Sequence, residues 1–244
     1  MTPYKLEIIG FNIESCVLAQ SAGAHRVELC DNPGEGGTTP SHGFIKAARE
    51  KLQIDLYPII RPRGGDFFYS DDEFEMMKID VQVCKELKCN GVVIGILKKD
   101  GTVDVERCKE LVQLASPMGV TFHRAFDRVA DPFQALEDII SIGCERILTS
   151  GLQPTAMEGI DLIAKLIEKA NKRILIMPGS GVRAGNIAAI AERSGAKEFH
   201  SSARINIDSQ MEYINPMMKE HLNVVSVDAE EIKNTVNELN KFFG

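Results

Sequence analysis

Arg173-Ile-Leu-Ile-Met-Pro-Gly-Ser-Gly-Val-Arg183 and Glu198-Phe-His-Ser-Ser-Ala-Arg204 are two apolar runs, each broken by a turn of small residues. One helix-length stretch separates them. Without bulky side chains, such turns leave backbone N–H groups free to point at an anion. Two in succession match the phosphate grip built after strands 7 and 8 of a (β/α)8 barrel. That register calls for six strands upstream, and the chain supplies them. Strands are predicted at 5–9, 26–30, 56–61, 91–97, 120–125, 146–150, 173–177 and 198–202. Helical patterns fill the gaps. Phe74, Met77, Val81 and Cys84 recur at helical spacing within 72–87. The stretches 104–114 and 132–142 read alike, the second with Asp131 as N-cap and Pro132 in its first turn.

The connections differ in kind. Gly23, Gly143 and Gly195 each end a helix shortly before a strand, where glycine accepts the left-handed conformation. These turns belong to the closed face of a barrel. The opposite loops, 31–43, 61–72, 127–132 and the segment after Arg204, are longer and more polar. Function therefore belongs at the C-terminal mouth. A helix over 228–243 completes or caps the ring. No linker or low-complexity segment interrupts the pattern, so residues 1–244 are expected to form a single α/β domain, a TIM barrel with a C-terminal helix.

Composition narrows the partners. The net charge is −7 and no basic stripe occurs, which argues against nucleic acid and anionic membranes. The apolar run Val92–Leu97 is far too short to span a bilayer. The N-terminus lacks the basic and apolar regions of a signal peptide, so a cytoplasmic location is expected. Six cysteines, none in a C-x-x-C pair, give no disulfide framework.

Parallel-barrel strands should be almost wholly apolar. Here Glu7, Glu28, Cys30, Arg61, His123, Arg124 and His200 interrupt them, with Asp127 just beyond. Apolar helices cover the outside, so charged side chains should turn inward to the wet mouth. Glu7 and Glu28 are expected to pair with Arg61, Arg63, Arg124 or His123. Glu7, Glu28 or His123 would act as acid or base, Arg61 and Arg124 would orient an anionic substrate, and Asp127 joins this catalytic set. The bland alternative is a salt-bridge network that plugs the barrel. For phosphate, the contacts would be Gly179, Ser180, Gly181, Ser201 and Ser202. No P-loop or dinucleotide fingerprint occurs in the right context, so no nucleotide cofactor is expected. Cys30 is the one cysteine placed at the mouth, with Glu28, Asp31 and His42 as its nearest candidate co-ligands. Copper(I) prefers sulfur ligands. Spacing alone favours a structural Cys30.

Several motifs run in order from strand 2 to strand 8. They are Arg26-Val-Glu-Leu-Cys-Asp31, Gly36-Gly-Thr-Thr-Pro-Ser41, Ile60-Arg-Pro-Arg-Gly-Gly-Asp-Phe67, Thr121-Phe-His-Arg-Ala-Phe-Asp127, Leu148-Thr-Ser-Gly151, Met177-Pro-Gly-Ser-Gly-Val182 and His200-Ser-Ser-Ala203. Together they closely resemble the CutC family. The resemblance implies a cytoplasmic TIM barrel, a role in copper homeostasis, copper(I) as a bound ion and association into homodimers. Three expectations follow. One is a copper-handling protein that binds the ion through Cys30. The second is a lyase, isomerase or hydrolase for a small anionic, phosphorylated compound. The third is a barrel kept for interaction only.

Overall fold

The computed structural model describes residues 3–244. Strands β1 (Lys5–Gly10), β2 (Arg26–Leu29), β3 (Asp55–Pro58), β4 (Gly91–Ile94), β5 (Gly119–Phe122), β6 (Arg146–Thr149), β7 (Leu175–Pro178) and β8 (Glu198–Ser201) form the inner wall. Helices α1 (Ile13–Ser21), α2 (His42–Lys51), α3 (Asp71–Glu86), α4 (Val105–Ala115), α5 (Pro132–Ile142), α6 (Ile160–Ala170) and α7 (Ile187–Ser194) alternate with them. Hydrogen-bonded parallel pairs run β3-β2-β1-β8 and β4-β5-β6-β7. A parallel bridge between Ile59 and Val93 joins β3 to β4, and β7 lies beside β8, which closes the ring. The fold is a TIM barrel.

Local chemistry sets the element ends. Asp131 accepts hydrogen bonds from the Phe133 and Gln134 N–H groups, capping α5 where expected. Gly143 and Gly195 take left-handed conformations at the ends of α5 and α7. β5 stops earlier than predicted. The backbone N–H of Ala125 turns back to His123 Nδ1, and a 3-10 turn over Arg124–Arg128 follows. The tail also differs from a plain loop. β9 (Arg204–Ile207) and β10 (Val224–Val227) form an antiparallel hairpin. Helix α8 (Ala229–Phe243) then packs against α1 and α7 and takes the eighth place in the outer ring. No described helix is long and apolar enough to cross a membrane.

Two apolar clusters hold the molecule together. The larger fills the space between strands and helices, with Leu6, Ile8, Val27, Leu56, Val92, Phe122, Ile147 and Phe199 on its strand side. The smaller lies inside the barrel, where Ile9, Cys30, Tyr57, Ile59 and Val93 meet. Strand alternation explains the split, since successive side chains face opposite ways. Gly91 and Gly119 leave room for the Tyr57 side chain, which any β-carbon at either position would overlap.

Candidate functional site

The same alternation sends Glu7, Arg26, Glu28, Arg146, Glu198 and His200 to the inside. In the strand register Glu7 stands opposite both Arg26 and His200. Arg26 Nε donates to Glu7 Oε2 at 2.5 Å, and its Nη2 donates to Glu198 Oε2 at 2.7 Å. Arg146 Nε reaches the same Glu198 oxygen at 2.6 Å. Its Nη1 donates to Thr121 Oγ1 at 2.9 Å and to Glu145 Oε1 at 2.7 Å. Glu7 therefore does not pair with Arg61, Arg63, Arg124 or His123 as the sequence suggested. A partner already waits at the same level on β2, whereas Arg61, His123 and Arg124 follow the ends of their strands.

Above this network lies a carboxylate–imidazole cluster. His200 Nδ1 lies 2.7 Å from Glu7 Oε1. An ionised carboxylate only accepts, so Nδ1 carries the proton and Nε2 is the ring nitrogen left for chemistry. Glu28 Oε2 is 3.8 Å from His200 Nδ1, and among the described residues Glu28 makes no hydrogen bond. Burial alone would raise the Glu7 carboxyl. The Arg26 charge and the His200 hydrogen bond overcome it and hold Glu7 well below the usual carboxylate range. Burial lifts Glu28, His200 draws it back in part, and the Glu7 charge pushes it up again, to about 7. Burial would lower His200, but the hydrogen bond to Glu7 and the charge of Glu28 raise it. A carboxyl poised near neutrality beside an oriented imidazole is equipped for proton transfer.

Glu7, Glu28 and His200 also offer three ligand atoms within 4.8 Å of one another. Carboxylates and imidazole suit a harder ion than copper(I). Cys30 is outside this group. Expected at an open mouth, it is instead fully buried among Ile9, Ile59 and Val93, with Gly37 packed over its sulfur. Burial, reinforced by Glu28 and Glu7, pushes its thiol well above the ordinary value, which disfavours the thiolate a metal needs. All six cysteines are buried. A thiol reagent of the dithiobis-nitrobenzoate type should therefore find no fast-reacting group in the folded protein, and six after unfolding. One rapid equivalent in the native state would contradict this placement.

The remaining predicted residues ring the mouth. Arg61 Nη1 donates to the carbonyls of Glu35 and Gly37 at 2.7 and 2.8 Å, and Nη2 to that of Gly65 at 2.8 Å. Arg61 shares a cavity of about 840 Å³ with Phe67, Lys98, Lys99, Arg124 and Arg128. Burial, then the charge of Arg61, brings His123 down to about 3, so this imidazole is neutral at physiological pH. Gly95 makes room for its ring. Arg124 Nε donates to Asp127 Oδ2 at 2.7 Å, and Nη2 to Ser150 Oγ at 2.8 Å. Asp127 also accepts from Thr149 Oγ1 at 2.5 Å and from the N–H groups of Ser150 and Leu152. Its carboxylate is saturated and pins the end of β6, so it positions Arg124.

The turns after β7 and β8 meet as one wall. Ser201 Oγ donates to the Val182 carbonyl at 2.7 Å, tying the turn after β8 to the turn after β7. Ser180 Oγ is engaged by the Pro154 carbonyl at 2.7 Å. Ser180, Gly181 and Ala203 are left-handed, at φ 75°, 71° and 40°. The N–H groups of Gly181, Val182 and Ser202 have no acceptor among the described residues. Unpaired backbone donors on two adjoining turns are groups from which an anion can accept. Gly179 leaves space for the side chains of Leu148 and His200.

Sequence reasoning left Arg26, Arg146 and Glu198 out of its site, and it placed His200 at the inner wall without giving it a role. The signal was the two-residue alternation Arg26, Glu28 on β2, continued by Cys30, and Glu198, His200 on β8, continued by Ser202.

A family model described as the CutC family matches residues 4–205. A family protein CutC of Chromobacterium violaceum is 56% identical over 208 residues, covering 85% of this chain and 84% of its own. The human protein named copper homeostasis protein cutC homolog is 48% identical over 212 residues, covering 87% and 78%. A solved structure carrying the CutC name, from Streptococcus agalactiae, superposes with a TM-score of 0.78 at 36% identity, over 82% of this chain and 98% of that one. Thiamine phosphate pyrophosphorylase from Pyrococcus furiosus shares the fold alone, with a TM-score of 0.62 at 13% identity over 99% and 98% of the two chains.

Proposed function

The chain belongs to the CutC family, and on that premise we propose a copper homeostasis protein whose working part is an acid–base site for a small anionic, phosphorylated compound. His200, oriented by Glu7, and Glu28 move a proton on that compound. The turns after β7 and β8 hold its phosphate through the N–H groups of Gly181, Val182 and Ser202. Arg61 and Arg124 face its remainder. One observation carries this reading. Glu28 is 3% exposed, without a hydrogen bond, and poised near pH 7 beside a carboxylate–imidazole pair. A carboxyl kept that way is costly to fold around, and the cost is understandable where the group works.

A second reading takes the copper homeostasis named for the human relative to mean direct copper(I) binding through Cys30. It needs the ion to reach a sulfur sealed beneath Gly37 and to displace its proton. A cytoplasmic setting and dimer formation are also part of the proposal. The exposed side chains of Ile205 and Ile207 on β9 and Tyr213 beyond it supply an apolar surface for association.

Complementation separates the two readings. In cells lacking the gene, the wild-type chain should restore copper tolerance. Cys30→Ala should restore it equally, while Glu28→Gln and His200→Asn should fail despite normal protein levels. Failure of Cys30→Ala with success of Glu28→Gln would overturn the acid–base reading in favour of the copper site.

A further inference from the structure

We infer that the compound carries two separate anionic groups, one held by the turns after β7 and β8 and the other by Arg61 across the mouth. This deepens the proposed function and rests on it. The argument starts from a charge imbalance. Arg61 is only 6% exposed. Among the described residues no carboxylate lies within ion-pair reach of it, and Nε has no partner. Its hydrogen bonds go to three backbone carbonyls, which are dipoles and not counter-charges. Burying a cation without an opposite charge is unfavourable, and buried charges are ordinarily paired.

The surroundings do not supply the missing charge. Lys98, Lys99 and Arg128 line the same cavity and form no ion pair among the described residues. Three carboxylates line this wall: Asp127 is paired with Arg124, Asp66 with Arg63, and Glu35, which accepts from the Gly65 N–H, makes no ion pair with Arg61, so five cations (Arg61, Lys98, Lys99, Arg124 and Arg128) face three acids. The lobe is left net positive around a buried guanidinium that faces the cavity. Guanidinium forks match carboxylate or phosphate oxygens, so either would serve as the second group.

Topology separates this lobe from the turns. Arg61 follows β3, Lys98 and Lys99 follow β4, and Arg128 follows β5, whereas Gly181 and Ser202 follow β7 and β8. In a closed eight-stranded ring these lie on opposite sides, so one small anion cannot reach both. Glu28 on β2 and His200 on β8 stand on the inner wall between them. Phe67, its ring 4.9 Å from the Arg61 guanidinium carbon, gives the carbon chain an apolar wall. The substrate class is therefore a short-chain bisphosphate or phosphorylated carboxylic acid, with the mobile proton between its ends.

Isothermal titration with defined probes tests this. Inorganic phosphate and propylphosphonate occupy one site at a time, and their binding to the Arg61→Met protein reports the turns. α,ω-Alkane bisphosphonates of increasing length report both sites. One chain length should bind about 100-fold tighter than propylphosphonate, since the second contact becomes intramolecular. Lys98→Ala/Lys99→Ala, on the exposed rim, should cut that advantage about tenfold while propylphosphonate binding to the turns persists. Arg61→Met should abolish the advantage, and the rim variant keeps the test valid if Arg61→Met folds poorly. If phosphate and propylphosphonate bind but no bisphosphonate binds more tightly, the two-group inference falls while the proposed anion site stands. If neither one-ended probe binds, the anion site falls and the inference with it.

Discussion

Arg26→Met should lower the folding free energy by about 3–5 kcal/mol, the range for breaking a buried ion pair by removing one partner. Arg26 is fully buried and bridges two carboxylates, Glu7 and Glu198. After its loss Glu198 keeps Arg146, but Glu7 keeps only His200. The damage therefore falls mainly on Glu7. Methionine roughly conserves length and leaves little cavity, so the loss reports charge more than packing. Adding Glu7→Gln to Arg26→Met should recover part of it, because the stranded charge goes. The pH dependence has a definite sign. Glu7 is held below its unfolded value of 4.5, so Arg26 contributes stability that is present above that value and is lost as pH falls through the folded one. Urea unfolding of wild type, single and double variants from neutral to acid pH measures both effects. A loss under about 1 kcal/mol at neutral pH would reduce the network to a bystander.

The eight strands were legible because each is a short apolar run next to a helix-patterned stretch, three of which end at a glycine (Gly23, Gly143 and Gly195), and the two Gly-Ser turns set their numbering. Boundaries moved where a side chain intervened, as at His123, whose ring nitrogen captures the Ala125 N–H and ends β5. The hairpin of β9 and β10 was not legible. All four residues of β9 are exposed, so no alternation of burial marks the strand. For the site, the sequence picked out Glu7, Glu28 and Arg61 because charge inside a parallel strand is anomalous on its own. It could not pair them. Glu7 meets Arg26 and His200 through a strand register between segments far apart in the chain, and register is a tertiary property. Cys30 shows the same limit. Its position at the end of β2 put it near the mouth, but the packing of Gly37 over its sulfur seals it from that space.

Glu28→Gln should make the protein more stable at alkaline pH and at the same time inactive. Glu28 is raised from 4.5 in the unfolded chain to about 7 in the fold. The folded state therefore holds an extra proton between those values, and stability falls as pH rises through that window. Above it, the wild type carries an ionised carboxylate that is 3% exposed and lacks a hydrogen bond. Glutamine has the same shape and no charge. At about 1.4 kcal/mol per unit, the variant should gain up to about 3 kcal/mol over wild type at alkaline pH and almost nothing at acid pH. His123 works in the opposite direction. Held neutral by burial and Arg61, it costs stability as pH falls below 6.5, but it does so in both proteins and cancels in their difference. Urea unfolding of the pair across this range is the measurement. A difference that does not change with pH would mean that Glu28 titrates normally and that the proton-transfer site lacks its acid. A difference that grows through the window, together with lost copper tolerance, identifies a residue retained for chemistry against the interest of the fold.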